Sequence, residues 1–223
     1  MEPVRAAFRD ECERLERVLR GLDGPALDRP TPCPPWRVRD LLAHVSTGAG
    51  RLVGMLAEPA PPRPEVTAPD YFGAAKFAPA VDRERIEGAR AAAGELPGAA
   101  EVAREFGRVW RATDAAVAVE APGRVVRTRH GDAMAVTEFL RTRVVEVAVH
   151  GLDLADALDR PPWTTPAAAA VVVDVLTAGR PVPDALGGDA STVLRKATGR
   201  LPLTDAERAA LAAAGIRRLA FGG

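Results

Sequence analysis

Glu146 and His150 lie four residues apart in the stretch RTRVVEVAVHGLDLADAL, which runs from 141 to 158. In a helix that spacing puts both side chains on one face. Val144, Val145, Val147, Val149, Leu152 and Leu154 surround them, so the two polar groups interrupt a run suited to burial. An unpaired buried carboxylate costs on the order of several kcal/mol, or shifts its pKa until it is neutral. A divalent metal held by the carboxylate and the imidazole together would remove that cost. The alternative is an ion pair, Glu146 with His150 or with Arg143 at a bundle edge.

The chain has three histidines, His44, His130 and His150. His44 stands in WRVRDLLAHVSTGAG, again among aliphatic residues of a predicted helix. A lone histidine in such a place is most simply a hydrogen-bonded core residue. Joined to Glu146 and His150, it completes a set of two histidines and one glutamate drawn from two helices. Three protein ligands with a fourth position open is the pattern of a catalytic zinc site, and helix bundles build metal sites in this way.

Other residues offer support, each with two readings. Asp40, one turn before His44, either orients that imidazole from behind or places favourable charge at a helix start. Asp153 serves His150 in the same way, or pairs with Arg143 or a neighbouring helix. Arg143 either receives a substrate carboxylate through a bidentate contact or forms a structural salt bridge. His130, in a polar loop, reads as a solvated histidine before it reads as a proton donor. Cys33 lacks an activating partner and reads as packing. Trp36, Trp110 and Trp163 read as core or edge residues.

The whole chain limits what these residues can serve. Its 223 residues suffice for one sizeable core, or a domain with an extension. Apolar residues make up 47% and formal net charge is zero. That balance argues for a globular protein and against a nucleic-acid binder that relies on a basic field. The charged N-terminal stretch has no signal-peptide core, and no apolar run is long enough to span a membrane. Two cysteines, Cys12 and Cys33, make no disulfide framework, so a cytoplasmic location is expected. Arginine supplies the basic residues apart from Lys76 and Lys196. With the abundant alanine, this points to a GC-rich genome of the actinomycete kind.

Helical periodicity predicts the elements that must carry the site. Helices are expected over 2–21, 36–57, 80–94, 99–120 and 134–158, then over 166–179 and 204–214. Thr204 with Glu207 forms a capping box at the start of the last. EPAPPRPEVTAP reads as a stiff linker, and PGRVVRTRHGDAMA as a loop with at most a short extended piece. Strand signals are weak. The expectation is an all-α protein, mainly an antiparallel four-helix bundle over 1–180, with a short, mostly helical extension over 181–223.

TPCPPWRVRDLLAHV, followed about a hundred residues later by RTRVVEVAVHGLDLADAL, resembles the mycothiol-dependent maleylpyruvate isomerase family, a branch of the DinB-like four-helix metalloproteins. The resemblance spans roughly 1–180. It implies that His44, Glu146 and His150 are the metal ligands. It further implies a divalent metal, best matched by zinc, with mycothiol as thiol cofactor and a small-molecule electrophile as substrate. The implied reaction is addition of a metal-activated thiolate, ending in isomerisation or in S-transfer. A non-catalytic metal- or ligand-binding module and a metal-dependent hydrolase are the alternatives. No nucleic-acid or membrane partner is expected, and the chain is expected to be a monomer or homodimer. Two departures stand out. Arg37 occupies a position where many relatives carry Thr or Ser, and a guanidinium cannot cap a helix start. Residues 181–223 are also too few for the separate C-terminal α/β domain of the characterised isomerase.

Overall fold

Four long helices follow the predicted periodicity in the structure, a computed structural model that describes residues 1–73, 78–121, 123–216 and 218–219. They are α1 (Glu2–Leu19), α3 (Val38–Ala57), α6 (Ala99–Ala118) and α7 (Val136–Ala157). Lys76 falls outside the described residues. Between α1 and α3 lies a single turn, α2 (Gly24–Leu27), and between α3 and α6 come α4 (Ala68–Tyr71) and α5 (Pro79–Gly94). The apolar stripes meet inside: Phe8, Cys12 and Leu15 of α1, Leu41, Val45 and Leu52 of α3, and Phe106 and Trp110 of α6 are buried. In the bundle α1 packs on α6 and α7, and α3 packs on the same two helices. Consecutive long helices α1 and α3 therefore stand at opposite corners.

Helix α7 is buried on almost every side, because α1, α3, α4, α8 (Pro166–Thr177) and a short strand all pack against it. This explains a sequence that is valine-rich all round rather than striped. Polar cross-links fix the neighbouring helices. Arg5 of α1 forks onto Asp114 of α6 at 2.7 and 2.9 Å. Trp110 Nε1 donates to Glu16 at 2.9 Å, and Thr113 donates to the Ala49 carbonyl at 2.7 Å.

The predicted loop before α7 contains a hairpin, β1 (Val125–Arg127) paired antiparallel with β2 (Ala133–Ala135), Val126 opposite Met134. Three residues per strand are too few for alternation to register as a strand signal. The proline-rich linker is likewise more ordered than its composition suggests. Glu65 bonds Ala133 through both its backbone N–H and its carboxylate. Thr67 and Asp70 then start α4, with Asp70 accepting from the Thr67 N–H at 3.0 Å. That turn delivers Tyr71 to the bundle. Helix α5 lies outside the bundle, against α3.

After α8 come a 3-10 turn (Asp184–Leu186), α9 (Ala190–Ala197) and α10 (Asp205–Ala213). The capping box at α10 is present: Thr204 N–H donates to Glu207 at 2.8 Å and Glu207 N–H to Thr204 at 3.3 Å. Helix α9 was not expected; Asp189 caps it by accepting from the Thr192 N–H at 3.0 Å. Leu186, Val193, Leu203, Leu211 and Ile216 form a small separate core, while Leu194 and Ala197 of α9 join the main one.

The arginine at the start of α3 leaves half of a capping box there. Asp40 reaches back to accept the Arg37 N–H at 2.9 Å, which is one half of a capping box. The other half is missing because the guanidinium has no acceptor. It donates instead to the Asp28 carbonyl at 2.9 Å.

Glu11 supplies a test of core electrostatics. It is fully buried, and one carboxylate oxygen accepts the Thr165 N–H at 2.8 Å. The other oxygen has no hydrogen-bond partner among the described residues. Burial raises its pKa from 4.5 to about 6, against the lowering effect of the Thr165 bond. A raised carboxyl pKa means that the folded state binds the proton more tightly. This contribution to stability is fully present below pH 4.5 and is lost as pH rises through 6. Glu11→Gln should therefore match wild type near pH 4 and be more stable above pH 7 by about 2 kcal/mol. Urea unfolding of both proteins across that range measures the difference; a gap that does not change with pH would refute the assignment.

Candidate metal centre

The site forms where α3 meets α7 near the cis Pro34–Pro35 turn. Glu146 Oε2 lies 3.2 Å from His44 Nε2 and 3.7 Å from His150 Nε2. One donor atom from each of the three residues fits within a 4.8 Å group. Donors bound tetrahedrally at zinc distances sit about 3.4 Å apart, so the two Glu146 spacings accommodate a metal ion with little movement. The donor set of two imidazoles and a carboxylate suits zinc and its first-row neighbours rather than calcium or magnesium.

The environment prepares these groups to coordinate. His44 packs its ring on Trp36 with centroids 4.7 Å apart, and on His150 at 5.3 Å. Burial lowers the His44 pKa to about 4, partly opposed by the Glu146 contact. The ring is therefore neutral at physiological pH, the state in which imidazole binds a metal. His150 turns Nδ1 to Asp153 Oδ2 at 3.0 Å, which leaves Nε2 on the Glu146 side. A partner on the second ring nitrogen is what fixes the tautomer and orientation of a ligating histidine.

Asp153 is itself held. Arg200 donates to both of its oxygens at 3.0 and 2.7 Å, and the Cys33 thiol donates to Oδ2 at 3.3 Å. Burial would raise the Asp153 pKa, but the bonds from His150 and Arg200 prevail and lower it to about 2. Cys33, His150 and Asp153 also form a group with metal-ligand spacing. Its chemistry is unsuited to a cation, because Arg200 already neutralises Asp153. Burial and the Asp153 charge push the Cys33 thiol up to about 12, so Cys33 keeps its proton and acts as a packed donor.

Arg143 is buried beside the centre, its Nη2 3.7 Å from Glu146 Oε1. Its guanidinium stacks 4.7 Å from the Phe139 ring and 5.8 Å from Tyr71, and it donates to the Thr142 hydroxyl. Asp40 is not brought to the His44 ring; its hydrogen bond goes to the Arg37 backbone at the helix start. His130 lies in the exposed hairpin turn, its ring 5.8 Å from Tyr71.

His44, Glu146 and Arg143 face a cavity of about 110 Å³. Three further arginines line it: Arg51 from α3, Arg85 from α5 and Arg129 from the hairpin turn. The sequence reading did not single them out. Arg51 had a usable signal, since His44, Gly48 and Arg51 recur at helical spacing and all three line the cavity. Gly48 also leaves room for Arg143: a Cβ there would sit 3.1 Å from Nη1. Arg85 and Arg129 had no such signal, because nothing local ties α5 or the hairpin turn to this face.

The geometry leads to the expectation of about one zinc per chain after loading, with high-affinity binding lost in His150→Ala. At zinc concentrations a hundredfold above Kd, the bound metal contributes about 2.7 kcal/mol. Chelation should then lower Tm by about 5–10 °C while the far-ultraviolet helical signal at 20 °C persists. Elemental analysis and a thermal melt check both points. An unchanged melt after verified metal removal would place the metal elsewhere.

Comparison with known proteins gives the family. No curated protein matches the chain by sequence. Two solved structures share its fold. A mycothiol-dependent maleylpyruvate isomerase superposes with a TM-score of 0.53 at 17% identity, over 79% of this chain and 69% of that one. A histidine-to-alanine mutant of a mycothiol-dependent maleylpyruvate isomerase gives 0.52 at 15% identity over the same shares. At these identities the likeness is one of fold. The profile of the mycothiol maleylpyruvate isomerase N-terminal domain matches residues 8–155, well over half the chain and the segment that carries His44, Glu146 and His150, and the chain belongs to that family.

Proposed function

We propose that the protein is a metal-dependent enzyme that adds the thiolate of mycothiol to a small anionic electrophile. The observation that carries this reading is the grouping of His44, Glu146 and His150 beside a cavity that His44 and Glu146 line together with four arginines. A zinc ion held by those three residues would keep a fourth position for the thiol sulfur and lower the thiol pKa, supplying thiolate at neutral pH.

The chain's own residues have separable roles. His44 presents a neutral ring nitrogen and His150 presents its Nε2, and Glu146 contributes negative charge close to Arg143. Arg143, Arg51, Arg85 and Arg129 outnumber Glu84 and Glu146 in the cavity lining, an excess of positive charge suited to a substrate carboxylate. Trp36, itself buried, packs its ring against that of His44. Cys33 is not the nucleophile, since its thiol remains protonated.

Bound at the open position, mycothiol would supply a nucleophilic thiolate: its addition to a cis-conjugated acid would allow rotation about the former double bond, and its departure would leave the trans isomer with no net change in the thiol, whereas an adduct that takes up a proton and stays would be the product of an S-transfer. The family relationship supports the first of these outcomes.

Cobalt replaces zinc in such sites and reports its own ligands. Adding mycothiol to the cobalt-loaded protein should produce a thiolate-to-metal charge-transfer band in the near ultraviolet. Glutathione should give a weaker band at equal concentration. Equal bands from all small thiols would remove mycothiol from the proposal. No band with any thiol, at a site that binds azide, would favour water at the metal and a hydrolytic or non-catalytic role.

A further inference from the structure

We propose that Arg200 is a positioning residue of the metal centre: by gripping Asp153 it holds His150 with Nδ1 turned away from the site and Nε2 turned toward Glu146 and His44. The proposal rests on the metal reading above and adds to it a residue that lies outside the segment matched by the family profile, 8–155.

The grip is built by the C-terminal segment. Helix α9 ends at Ala197, and Gly199 takes a left-handed conformation with φ 79°. The Arg200 and Leu201 N–H groups both return to the Arg195 carbonyl, at 2.7 and 3.0 Å. This turn closes the helix and directs the Arg200 side chain back to α7. There it forks onto Asp153, Nε to Oδ1 and Nη2 to Oδ2, while Nη1 donates to the Thr198 carbonyl. The two-pronged contact fixes the plane of the carboxylate as well as its position. Asp153 is 2% exposed, so water does not compete freely for its oxygens.

The consequence falls on His150. Asp153 Oδ2 receives three groups: Arg200 Nη2, the Cys33 thiol and His150 Nδ1. With Arg200 and Cys33 fixed, one direction remains for the imidazole, and it sets the ring with Nε2 3.7 Å from Glu146 Oε2. Without Arg200, the carboxylate would be free to rotate about its side-chain bond and the ring would lose its fixed support. The cation also draws charge from Asp153 that would otherwise reach the imidazole. Partners that orient a ligating histidine in this way affect metal affinity about 10–100-fold. The extension beyond residue 180 thereby contributes to a centre whose ligands all lie in the bundle.

Three variants of the full chain test this. Arg200→Met keeps the aliphatic stem and removes the fork; Arg200→Lys restores one charge without the planar geometry; Asp153→Asn removes the intermediary. Nitrogen-15 spectra of His150 in the metal-free protein should show Nδ1 protonated in wild type and a mixture of tautomers in Arg200→Met. Zinc affinity, measured against a competing chelator, should fall about 10–100-fold in Arg200→Met, with partial recovery in Arg200→Lys. In the Asp153→Asn background, Arg200→Met should have little further effect, since the two residues act through one contact. Circular dichroism at the measuring temperature confirms that each variant is folded. An unchanged His150 tautomer and a zinc affinity within threefold of wild type in Arg200→Met would overturn the proposal. So would an affinity loss that Arg200→Lys does not relieve, or one that is additive with Asp153→Asn. A wild-type chain that binds no zinc would defeat the metal reading instead, and the tautomer measurement, which needs no metal, would still decide the role of Arg200.

Discussion

The carboxylate of Glu146 sets the constraint on which the rest of the structure depends. It lies in the most buried helix of the protein, 8% exposed, where an uncompensated charge is costly. Arg143 stands 3.7 Å away, a loose ion pair, and His44 contributes a neutral ring. A metal ion shared with His44 and His150 would add a full opposing charge to these contacts. The surrounding fold is arranged about that point: α3 brings His44 across, α7 brings His150 one turn along, and Asp153 braces His150 from the other side.

The arrangement separates two tasks. Packing of α1, α3, α6 and α7 supplies a core independent of the site, with Phe8, Leu41, Phe106 and Leu140 fully buried. The site is then assembled at one edge of that core from less regular pieces: the turn around Cys33, the short helix that carries Tyr71, the hairpin that carries Arg129, and α5 with Arg85. The candidate metal ligands are held by the bundle alone, while the cavity beside them is lined both by bundle residues and by residues on the added pieces.

Much of this was legible in the sequence. The amphipathic period located the long helices to within a few residues, and the four-residue spacing of Glu146 and His150 placed them on one face. The pairing of His44 with that face was suggested by its place among the aliphatic residues of another helix and then implied by the family resemblance, since no local pattern joins residues about a hundred apart. Asp153 was legible as a support for His150 because it lies one turn away. Its second partner was not: Arg200 is 47 residues further along, and in the sequence it is one arginine among many. Asp40 shows the opposite case. Its spacing from His44 suited an orienting role, but the nearer, unsatisfied N–H at the helix start took the carboxylate. The hairpin and the turns at α2 and α4 escaped because elements of three or four residues are too short for periodicity to reveal.

X-ray absorption at the zinc edge tests the central claim most directly, because it counts the ligands without requiring turnover. Zinc-loaded protein should show a first shell of nitrogen and oxygen only, at about 2.0–2.1 Å, with the outer-shell scattering of two imidazoles. Addition of mycothiol should replace one light atom by sulfur at about 2.3 Å and leave both imidazoles in place. A sulfur ligand before any thiol is added, or a shell containing fewer than two imidazoles, would contradict a centre built from His44, Glu146 and His150.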